Sequence, residues 1–451
     1  MNDDLSGLGD ELSRHVTQPP FANIVRRGGR RRATQFGMSG LATVLVVTAA
    51  ALIALNVPTD TADLAPARTG APAATSPAAT KGGAPSATSW AGFFQLTDIS
   101  FVDRTHGWVT GISCGDESCA PFVRTSTDGG ASWRALTAPM AQVDTRGGGF
   151  DPYSHPARIH FADRRNGWLT FEKGIAVTHD AGETWGWDDK LGHPTVDRNV
   201  YDLATAGTSV WSAEAGCRLT MGALCDAQLM VGRTDGGLMA PASPQPPLGQ
   251  QPVPDDRLNG GIQLLRAGLE RAWLVVDRGA AVGDDALLVT ADSGLTWTSY
   301  PHPCRDVAHR GFGARFVAPS AGHLFGFCLG GASGGQQFRT AVSSVDGGRT
   351  WSMRDASATG YLIDLVATPD VIWAMSLDGL SRSTDGGRTF ADIPLHYAHK
   401  DDQQLSNYSL TFVDATHGWF IAGPNRVVRT EDGSTWTEGE LRCRRPTPLL
   451  C

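Results

Sequence analysis

The sequence predicts an all-β fold, a seven-bladed β-propeller, which follows one transmembrane helix and a disordered linker. Two short motifs alternate seven times from about residue 96 onward, at a mean spacing of about 51 residues, which leaves room for four short strands per repeat. A 20-residue apolar segment precedes the repeats, and all eight cysteines follow that segment. The repeats indicate the fold. The apolar segment and the cysteines indicate that the repeats are anchored to a membrane and lie on its extracytoplasmic side.

Composition excludes several classes of protein. Charged residues make up 19% and aromatic residues 8% of the 451 residues, which is unlike a fibrous or wholly disordered chain. The formal net charge of -8 argues against a nucleic-acid partner, because such proteins usually present a basic face to the phosphates. We therefore expect a folded protein that does not bind nucleic acid.

Residues 36–56 are predicted to form a transmembrane helix. The first 20 of them are mostly apolar and uncharged, which is long enough to span a bilayer. Five arginines lie at positions 26–32 and aspartates follow the segment, so the positive-inside rule places the tail 1–35 in the cytoplasm. A cleaved signal peptide is the alternative, but its n-region would be 35 residues long and no clean A-x-A site follows.

Residues 57–89 consist almost entirely of Ala, Pro, Thr, Ser and Gly. Such a segment cannot bury enough apolar surface to fold, and its prolines keep it extended. We expect a linker that holds the propeller ectodomain, residues 90–451, away from the membrane. The predicted location is the cell membrane, with a single-pass anchor and an extracellular C-terminal domain.

The cysteines predict disulfide bonds. Their number is even and all of them follow the predicted anchor, as expected in an oxidising compartment. Zinc is the alternative, but no C-x-x-C pair exists and the histidines are not at ligand spacing, so no metal is predicted. Pairing of neighbours is the simplest connectivity because each bridge closes a short loop: Cys114–Cys119, Cys217–Cys225, Cys304–Cys328 and Cys443–Cys451.

The first motif reads STDGGASW at 126–133 and SVDGGRTW at 344–351. A glycine supplies a positive-φ turn position, and the aspartate carboxylate can accept backbone N–H bonds from the turn that it begins. Because all seven copies are expected in equivalent turns, we predict a structural role for their aspartates. They are Asp128, Asp180, Asp235, Asp292, Asp346, Asp385 and Asp432.

The second motif reads ISFVDRTHGWVTG at 99–111. It is an alternating apolar stretch, a turn and a second apolar stretch, which predicts a β-hairpin. Weaker copies place other residues at the position of Trp108, namely Trp211, Trp273, His323 and Trp373.

The first motif resembles the Asp-box, or BNR, repeat S-x-D-x-G-x-T-W, which residues 344–351 match at Ser344, Asp346, Gly348, Thr350 and Trp351. The resemblance covers about residues 96–440 and implies a propeller of the sialidase-like superfamily. That family includes sialidases, xyloglucan-degrading glycosidases, sortilin-type receptors and photosystem II assembly/stability factors. The paired motifs and the single seven-bladed size look most like the last group, but the tail, anchor and linker depart from its usual N-terminus, so its photosynthetic role is not expected here.

The repeat also predicts two faces. If the four strands run outward from the centre, the aspartate turns lie on one face and the long loops 137–157 and 393–408 on the other. Recognition residues often lie on loops held by a rigid scaffold, although a merely solvated loop is the alternative. The candidate binding residues are Phe150, Tyr153, His155, His396, Tyr397 and His399.

Two classes of function remain, a binding protein and an enzyme. The resemblance implies that an exo-glycosidase of the sialidase type needs three arginines, a Tyr with a Glu partner and an acid. The nearest string to its F/Y-R-I-P signature, residues 157–160, lacks the aromatic residue and the proline, and no tyrosine sits beside a convincing Glu. We therefore predict no catalytic residue and no cofactor, and expect a membrane-anchored scaffold that binds an extracytoplasmic protein or glycan. A purely structural envelope protein would differ in lacking a saturable partner.

Overall fold

The computed structural model describes residues 94–441 except 115–117, 140–142, 145–156, 172–173, 188–198, 218–224, 237–238, 249–260, 278–284, 308–309, 334–335, 357 and 396–408. The predicted tail, transmembrane segment and linker lie outside these residues. No helix within the described part is long and apolar enough to cross a membrane.

Seven antiparallel sheets follow one another along the chain, and within each sheet the strands pair in sequence order. Blade 1 contains β1 (Phe94–Phe101), β2 (Gly107–Cys114), β3 (Ser118–Ser126), β4 (Arg134–Leu136) and β5 (Val143–Asp144). Blade 2 contains β6 (Arg158–Phe161), β7 (Gly167–Phe171), β8 (Gly174–Thr178) and β9 (Gly186–Trp187). Blade 3 contains β10 (Asn199–Ala206), β11 (Ser209–Cys217), β12 (Cys225–Arg233) and β13 (Ala240–Pro241).

The remaining four blades repeat this order. Blade 4 contains β14 (Gly261–Ala267), β15 (Arg271–Asp277), β16 (Ala286–Thr290) and β17 (Thr298–Pro301). Blade 5 contains β18 (Arg310–Val317), β19 (Leu324–Ser333), β20 (Gln336–Ser344), β21 (Ser352–Asp355) and β22 (Ala358–Thr359). Blade 6 contains β23 (Leu362–Ala367), β24 (Ile372–Ser376), β25 (Gly379–Ser383) and β26 (Ala391–Ile393), and blade 7 contains β27 (Leu410–Phe412), β28 (Gly418–Ile421), β29 (Arg426–Thr430) and β30 (Trp436–Glu440).

The core lies between the blades. Second strands such as β15 are buried along nearly their whole length, because a neighbouring blade covers each of their faces, whereas the outer strand β21 is exposed throughout. Three interfaces contain parallel ring stacks: Phe101 on Trp419 at 3.7 Å, Trp108 on Phe161 at 3.6 Å, and Trp373 on Phe412 at 3.6 Å. The first strands of neighbouring blades also contact one another. The prediction of an all-β seven-bladed propeller is confirmed.

Packing between whole blades closes the ring, since all the strands of blade 1 and of blade 7 come from their own segments of the chain. The rings of Phe101 and Trp419 stack across this closure. The Leu96 N–H donates to the Pro424 carbonyl at 2.8 Å, and Arg104 forms an ion pair with Asp414 at 3.0 Å. Closure therefore depends on side-chain stacking and polar contacts rather than on a strand shared between the chain ends.

In blade 5, the residue that is equivalent to Trp108 is not the one that the sequence predicts, which was His323. Leu324 pairs with Ser344 as Gly107 pairs with Ser126, so Phe325, and not His323, occupies the position of Trp108. A Phe has no N–H to donate, whereas the Trp indole donates to a turn carbonyl of the next blade, as Trp108 Nε1 does to Ala181 at 2.8 Å. His323 supplies the corresponding bond, to the backbone of Gly386.

The structure describes three of the four predicted cysteine pairs at the level of the backbone. The disulfide Cys304–Cys328 is confirmed, with its Cα atoms 5.5 Å apart. Cys114 is disulfide-bonded and faces Cys119 in the strand register, and Cys217 faces Cys225 in the same way. Cys443 and Cys451 lie outside the described residues.

Candidate functional site

The predicted binding residues cannot be placed, because Phe150, Tyr153, His155, His396, Tyr397 and His399 lie outside the described residues. Their loops follow the outer strands of blades 1 and 6. Their role in binding stays a prediction. The described residues contain two other sets of polar side chains, the aspartate turns and a ring of residues on the innermost strands.

The aspartate turn of blade 5 shows what the motif does. Asp346 Oδ1 accepts the N–H groups of Arg349 and Thr350, each at 3.0 Å, and Oδ2 accepts the Thr350 hydroxyl at 2.6 Å. The Ser344 hydroxyl donates to Asp346 and accepts the Gly348 N–H at 2.8 Å. These bonds, with that of the Thr350 hydroxyl first, hold the pKa of Asp346 well below its ordinary value.

Other aspartates repeat this arrangement. The turns of Asp128, Asp180, Asp292 and Asp385 use the same hydroxyl and N–H donors. In the shorter turn of Asp432, the carboxylate accepts the N–H groups of Ser434 and Thr435. A glycine two residues after the aspartate permits close packing in the turn of Asp385: a Cβ on Gly387, whose φ is +85°, would lie 2.2 Å from the Phe325 ring.

The prediction of seven equivalent turns is wrong at Asp235. Arg233 stands where the other turns have Ser or Thr, and its guanidinium binds both oxygens of Asp235, at 2.8 and 2.7 Å. The N–H of Thr234 donates to the Thr208 carbonyl, a bond that the residue after the aspartate makes elsewhere, as Gly129 does to Thr105. Counted from this bond, Asp235 comes two residues later in the chain than the other aspartates, and its carboxylate is instead bound by Arg233.

The second set is the channel ring, one residue on or beside the innermost strand of each blade. Each member immediately precedes an apolar residue that continues the strand toward the hairpin. Its members, from blade 1 to blade 7, are Asp98, Arg158, Asp202, Gln263, Arg315, Asp364 and Ser409.

Each aspartate of the channel ring serves two blades. Asp98 Oδ1 accepts the N–H of Ile99 in its own blade at 2.9 Å, and Oδ2 accepts the N–H of Ile159 in the next blade at 2.9 Å. Each described aspartate of the ring follows a register shift in its strand. The residue that this shift leaves out of the register immediately precedes the aspartate in each case, as Thr97 precedes Asp98.

Asp202 and Asp364 repeat this pattern. Asp202 accepts from Leu203 at 3.0 Å and from Leu264 in blade 4 at 2.9 Å. Asp364 accepts from Leu365 and from Leu410 in blade 7, both at 2.9 Å.

Gln263 completes the set of acceptors. Its amide oxygen accepts the Phe316 N–H at 3.0 Å, and its amide nitrogen donates to the Ala314 carbonyl at 2.7 Å. Three aspartates with two bonds each and one glutamine therefore bind the equivalent N–H group in all seven blades. These groups belong to strands that have no neighbour on their inner edge, where an unpaired buried donor would be costly.

The ring also contains two arginines, which cannot accept hydrogen bonds but which bring positive charge next to the carboxylates. Arg158 lies close enough to lower the pKa of Asp364, and Arg315 interacts with Asp364 and Asp202. Burial lowers the pKa of Arg315, and the charge of Arg158 adds to that effect. The ring thus combines three carboxylates with two guanidinium groups, and Arg315 interacts with two of the carboxylates.

Asp364 is a titratable group of the ring whose pKa lies well above its ordinary value. Burial raises its pKa to about 6, against the opposing effects of the Leu410 and Leu365 N–H bonds. Burial lowers the pKa of the neighbouring His160, although Asp202 and Asp98 oppose that shift, and His160 Nε2 lies 2.9 Å from the Thr205 hydroxyl. A carboxyl group with such a pKa can exchange a proton near neutral pH.

Sequence reasoning missed the channel ring. The signal was a single acidic residue inside an otherwise apolar inner strand, as in TDI at 97–99, YDL at 201–203 and IDL at 363–365. Within the described residues, no cluster of His, Cys, Asp and Glu could hold a metal ion.

We expect Asp346→Ala to lower the midpoint of thermal unfolding by several degrees, because it removes the acceptor of several turn donors. Asp235→Ala is the matched control, since it removes only an exposed ion pair and should leave the midpoint nearly unchanged. Differential scanning fluorimetry measures both. A fully stable Asp346→Ala protein that no longer bound its partner would contradict the structural role.

We expect Asp364→Asn to change how stability depends on pH. With a folded pKa of about 6 and an ordinary value of 3.8, the folded protein binds this proton before the unfolded chain does as the pH falls. The wild type should therefore gain stability relative to Asp364→Asn from pH 6 down to about pH 4, and lose it as the pH rises again. Urea unfolding at several pH values measures the difference, and a constant difference would refute the raised pKa.

Comparisons with known proteins bear on the fold. No model of a known protein family matches the chain, and no curated protein matches it. Similar solved structures include a polysaccharide lyase of family PL25, an ulvan lyase, at 13% identity over 78% of this chain and 94% of that chain, with a TM-score of 0.46.

Two further similar structures are also carbohydrate-active enzymes. The α-L-arabinanase of Penicillium chrysogenum is 14% identical over 79% of this chain and 99% of its own, with a TM-score of 0.36. The GH74 enzyme of Niastella koreensis is 10% identical over 76% of this chain and 71% of its own, with a TM-score of 0.28. At such identities these similarities concern the fold alone, so the chain is described by its architecture, a seven-bladed β-propeller.

Proposed function

We propose that the protein is a membrane-anchored, extracytoplasmic propeller that binds a protein or glycan partner and acts as a scaffold for it. The observation that carries the proposal is the use of the carboxylates: in the channel ring each aspartate binds two backbone N–H groups with its two oxygens. The acidic groups of the centre therefore hold the blades together. A rigid disk with long loops is suited to recognition.

We assign the turns to the Asp-box, or BNR, type. Five of them share the same hydroxyl, carboxylate and glycine bonds, as the turn of Asp346 illustrates. The likeness to the photosystem II assembly/stability factors, which rests on the paired motifs and the number of blades, favours a role in assembly over one in catalysis. Asp-box turns specify the fold and leave the ligand open.

The membrane anchor is part of this proposal. The apolar segment 36–56 and the arginines that precede it support a single-pass helix with a cytoplasmic N-terminus. The disulfide Cys304–Cys328 supports an oxidising location for the propeller. The linker 57–89 would separate the two, and the loops 137–157 and 393–408 would present the candidate binding residues.

One observation favours a second function, that of a glycoside hydrolase. Asp364, with its pKa raised to about 6, could act as a general acid, and the carboxylate of Asp98 is close enough to influence it. Glycosidases commonly pair such an acid with an ionised carboxylate. Against this function, both oxygens of Asp364 already accept backbone N–H groups.

We expect the full-length protein in detergent to capture a partner saturably from envelope extract, and Asp364→Asn to capture it equally well, because that residue supports the ring rather than the ligand. The same preparations should hydrolyse no member of a fluorogenic glycoside panel. Hydrolysis that disappears in Asp364→Asn would establish the hydrolase instead, and the absence of any saturable partner would indicate a purely structural envelope protein.

We expect a reporter that is active only in the cytoplasm to be silent when fused after Cys451 and active when fused before Arg26, because the arginines hold the N-terminus inside. Reporter activity in intact cells measures this. The reverse pattern would exclude the proposed orientation.

A further inference from the structure

The outer part of three described blade interfaces is filled by three large side chains. One comes from the third strand of a blade, one faces it on the fourth strand, and a tryptophan ends the aspartate turn of the next blade. The sets are Val123, Leu136 and Trp185 between blades 1 and 2, Leu287, Tyr300 and Trp351 between blades 4 and 5, and Leu380, Ile393 and Trp436 between blades 6 and 7.

The interface between blades 5 and 6 departs from this pattern at all three positions. Ala341 stands on the third strand, Arg354 faces it on the fourth, and Phe390 replaces the tryptophan. Phe390 packs against Phe325 and Phe327, with ring centroids 5.6 and 5.7 Å apart. Ala341 and Arg354 line a groove of about 420 Å³ at this interface, which we call the rim groove.

The rim groove presents apolar surface to solvent. Its lining includes the buried Phe325 and Ala341 and the exposed side chains of Val345 and Met353, which are 79% and 52% exposed. Both are among the few large hydrophobic side chains that the described surface exposes, and they lie on the same groove. Exposed apolar side chains that cluster around a concave surface often mark a binding site.

The polar part of the rim groove is cationic. Arg354 and Arg388 line it, and none of the other described lining residues carries a carboxylate. Arg354 donates to the Gly387 carbonyl, which fixes its guanidinium beside the groove. The nearest turn aspartates, Asp346 and Asp385, are bonded within their own turns. A ligand with negative charge beside an apolar group therefore complements the groove.

We propose that the rim groove binds a segment of a partner protein in which an apolar side chain stands next to carboxylates. This rests on the proposed function, and it narrows the partner to a protein, because Phe325 and Ala341, on the same side of the sheet as Arg354, offer an apolar surface that suits an aliphatic or aromatic side chain. The volume falls within the ~300–1,000 Å³ typical of ligand sites. The groove is on the face of the aspartate turns, so it is separate from the predicted loop site.

A set of labelled peptides tests the chemistry of the rim groove. The probe is a fluorescein-labelled peptide with the core Asp-Phe-Asp, and its controls have the cores Lys-Phe-Lys and Asp-Ser-Asp. Fluorescence anisotropy with the full-length protein should show saturable binding of Asp-Phe-Asp, and at least about tenfold weaker binding of both controls. Equal binding of all three peptides, or none of Asp-Phe-Asp, would overturn the proposal.

Variants locate the binding. Ala341→Leu and Arg354→Tyr introduce the residues found at Leu287 and Tyr300, so they should fill the groove, keep or raise the unfolding temperature, and weaken Asp-Phe-Asp binding at least about tenfold. Arg388→Glu should weaken Asp-Phe-Asp and improve Lys-Phe-Lys. Leu295→Ser is the control, because Leu295 is an exposed apolar residue outside the groove and its loss should change nothing.

The outcomes separate this proposal from the proposed function. If all three groove variants are folded and bind Asp-Phe-Asp like the wild type, the groove is not the site. If wild type and Ala341→Leu capture the same saturable partner equally from envelope extract, the scaffold function stands and the groove proposal fails. If neither captures a partner, the proposed function itself fails.

Discussion

The structure depends on supplying hydrogen-bond acceptors to backbone N–H groups on the innermost strand of each of the seven blades, because these strands have no neighbouring strand on their inner edge. An unsatisfied buried N–H would cost about 1–3 kcal/mol at each blade, which is a large part of the stability of a domain. The channel ring solves this with few residues, because a carboxylate has two oxygens. Asp98 binds one N–H in its own blade and one in the next, so the same side chain that completes a strand also joins two blades.

At the rim, hydrogen bonds between side chains and backbone join neighbouring blades a second time. The aspartate turns order their own backbone, and several of them also offer a carbonyl to the preceding blade, as Gly129 accepts the indole N–H of Trp419 at 2.8 Å across the ring closure. Centre and rim are thus both held by bonds between side chains and backbone. This arrangement makes a rigid support, on which we propose that recognition falls to the loops and to the rim groove between blades 5 and 6.

The sequence predicted the features that repeat and missed those that do not. Glycine and aspartate are needed in nearly every turn, so their spacing revealed the blades, and the nearness of Cys304 and Cys328 in the chain suggested their bond. The channel ring escaped notice because an aspartate occurs in only three blades and a glutamine serves a fourth. Asp235 was misjudged because the sequence keeps the Asp-Gly-Gly of the motif, whereas the backbone bond that marks the turn is made two residues earlier relative to the aspartate.

The rim groove could not be predicted for a different reason. It lies at the interface where Ala341, Arg354 and Phe390 take the places of three larger or less polar side chains, and its lining comes from two blades. Each substitution alone is unremarkable in the sequence, and only the comparison with interfaces that bring Leu287, Tyr300 and Trp351 together shows that space has been left. The interfaces that have three large side chains therefore served as the reference that revealed the different packing between blades 5 and 6.

The most direct measurement of the central claim is amide hydrogen exchange at single-residue resolution in the wild type and in Asp364→Ala. If the carboxylates hold the inner edge, Leu365 and Leu410 should exchange slowly in the wild type and much faster in the variant, whereas Ile159, which Asp98 binds, should be unchanged. Fast exchange of Leu410 in the wild type, or no acceleration in a folded variant, would contradict the account.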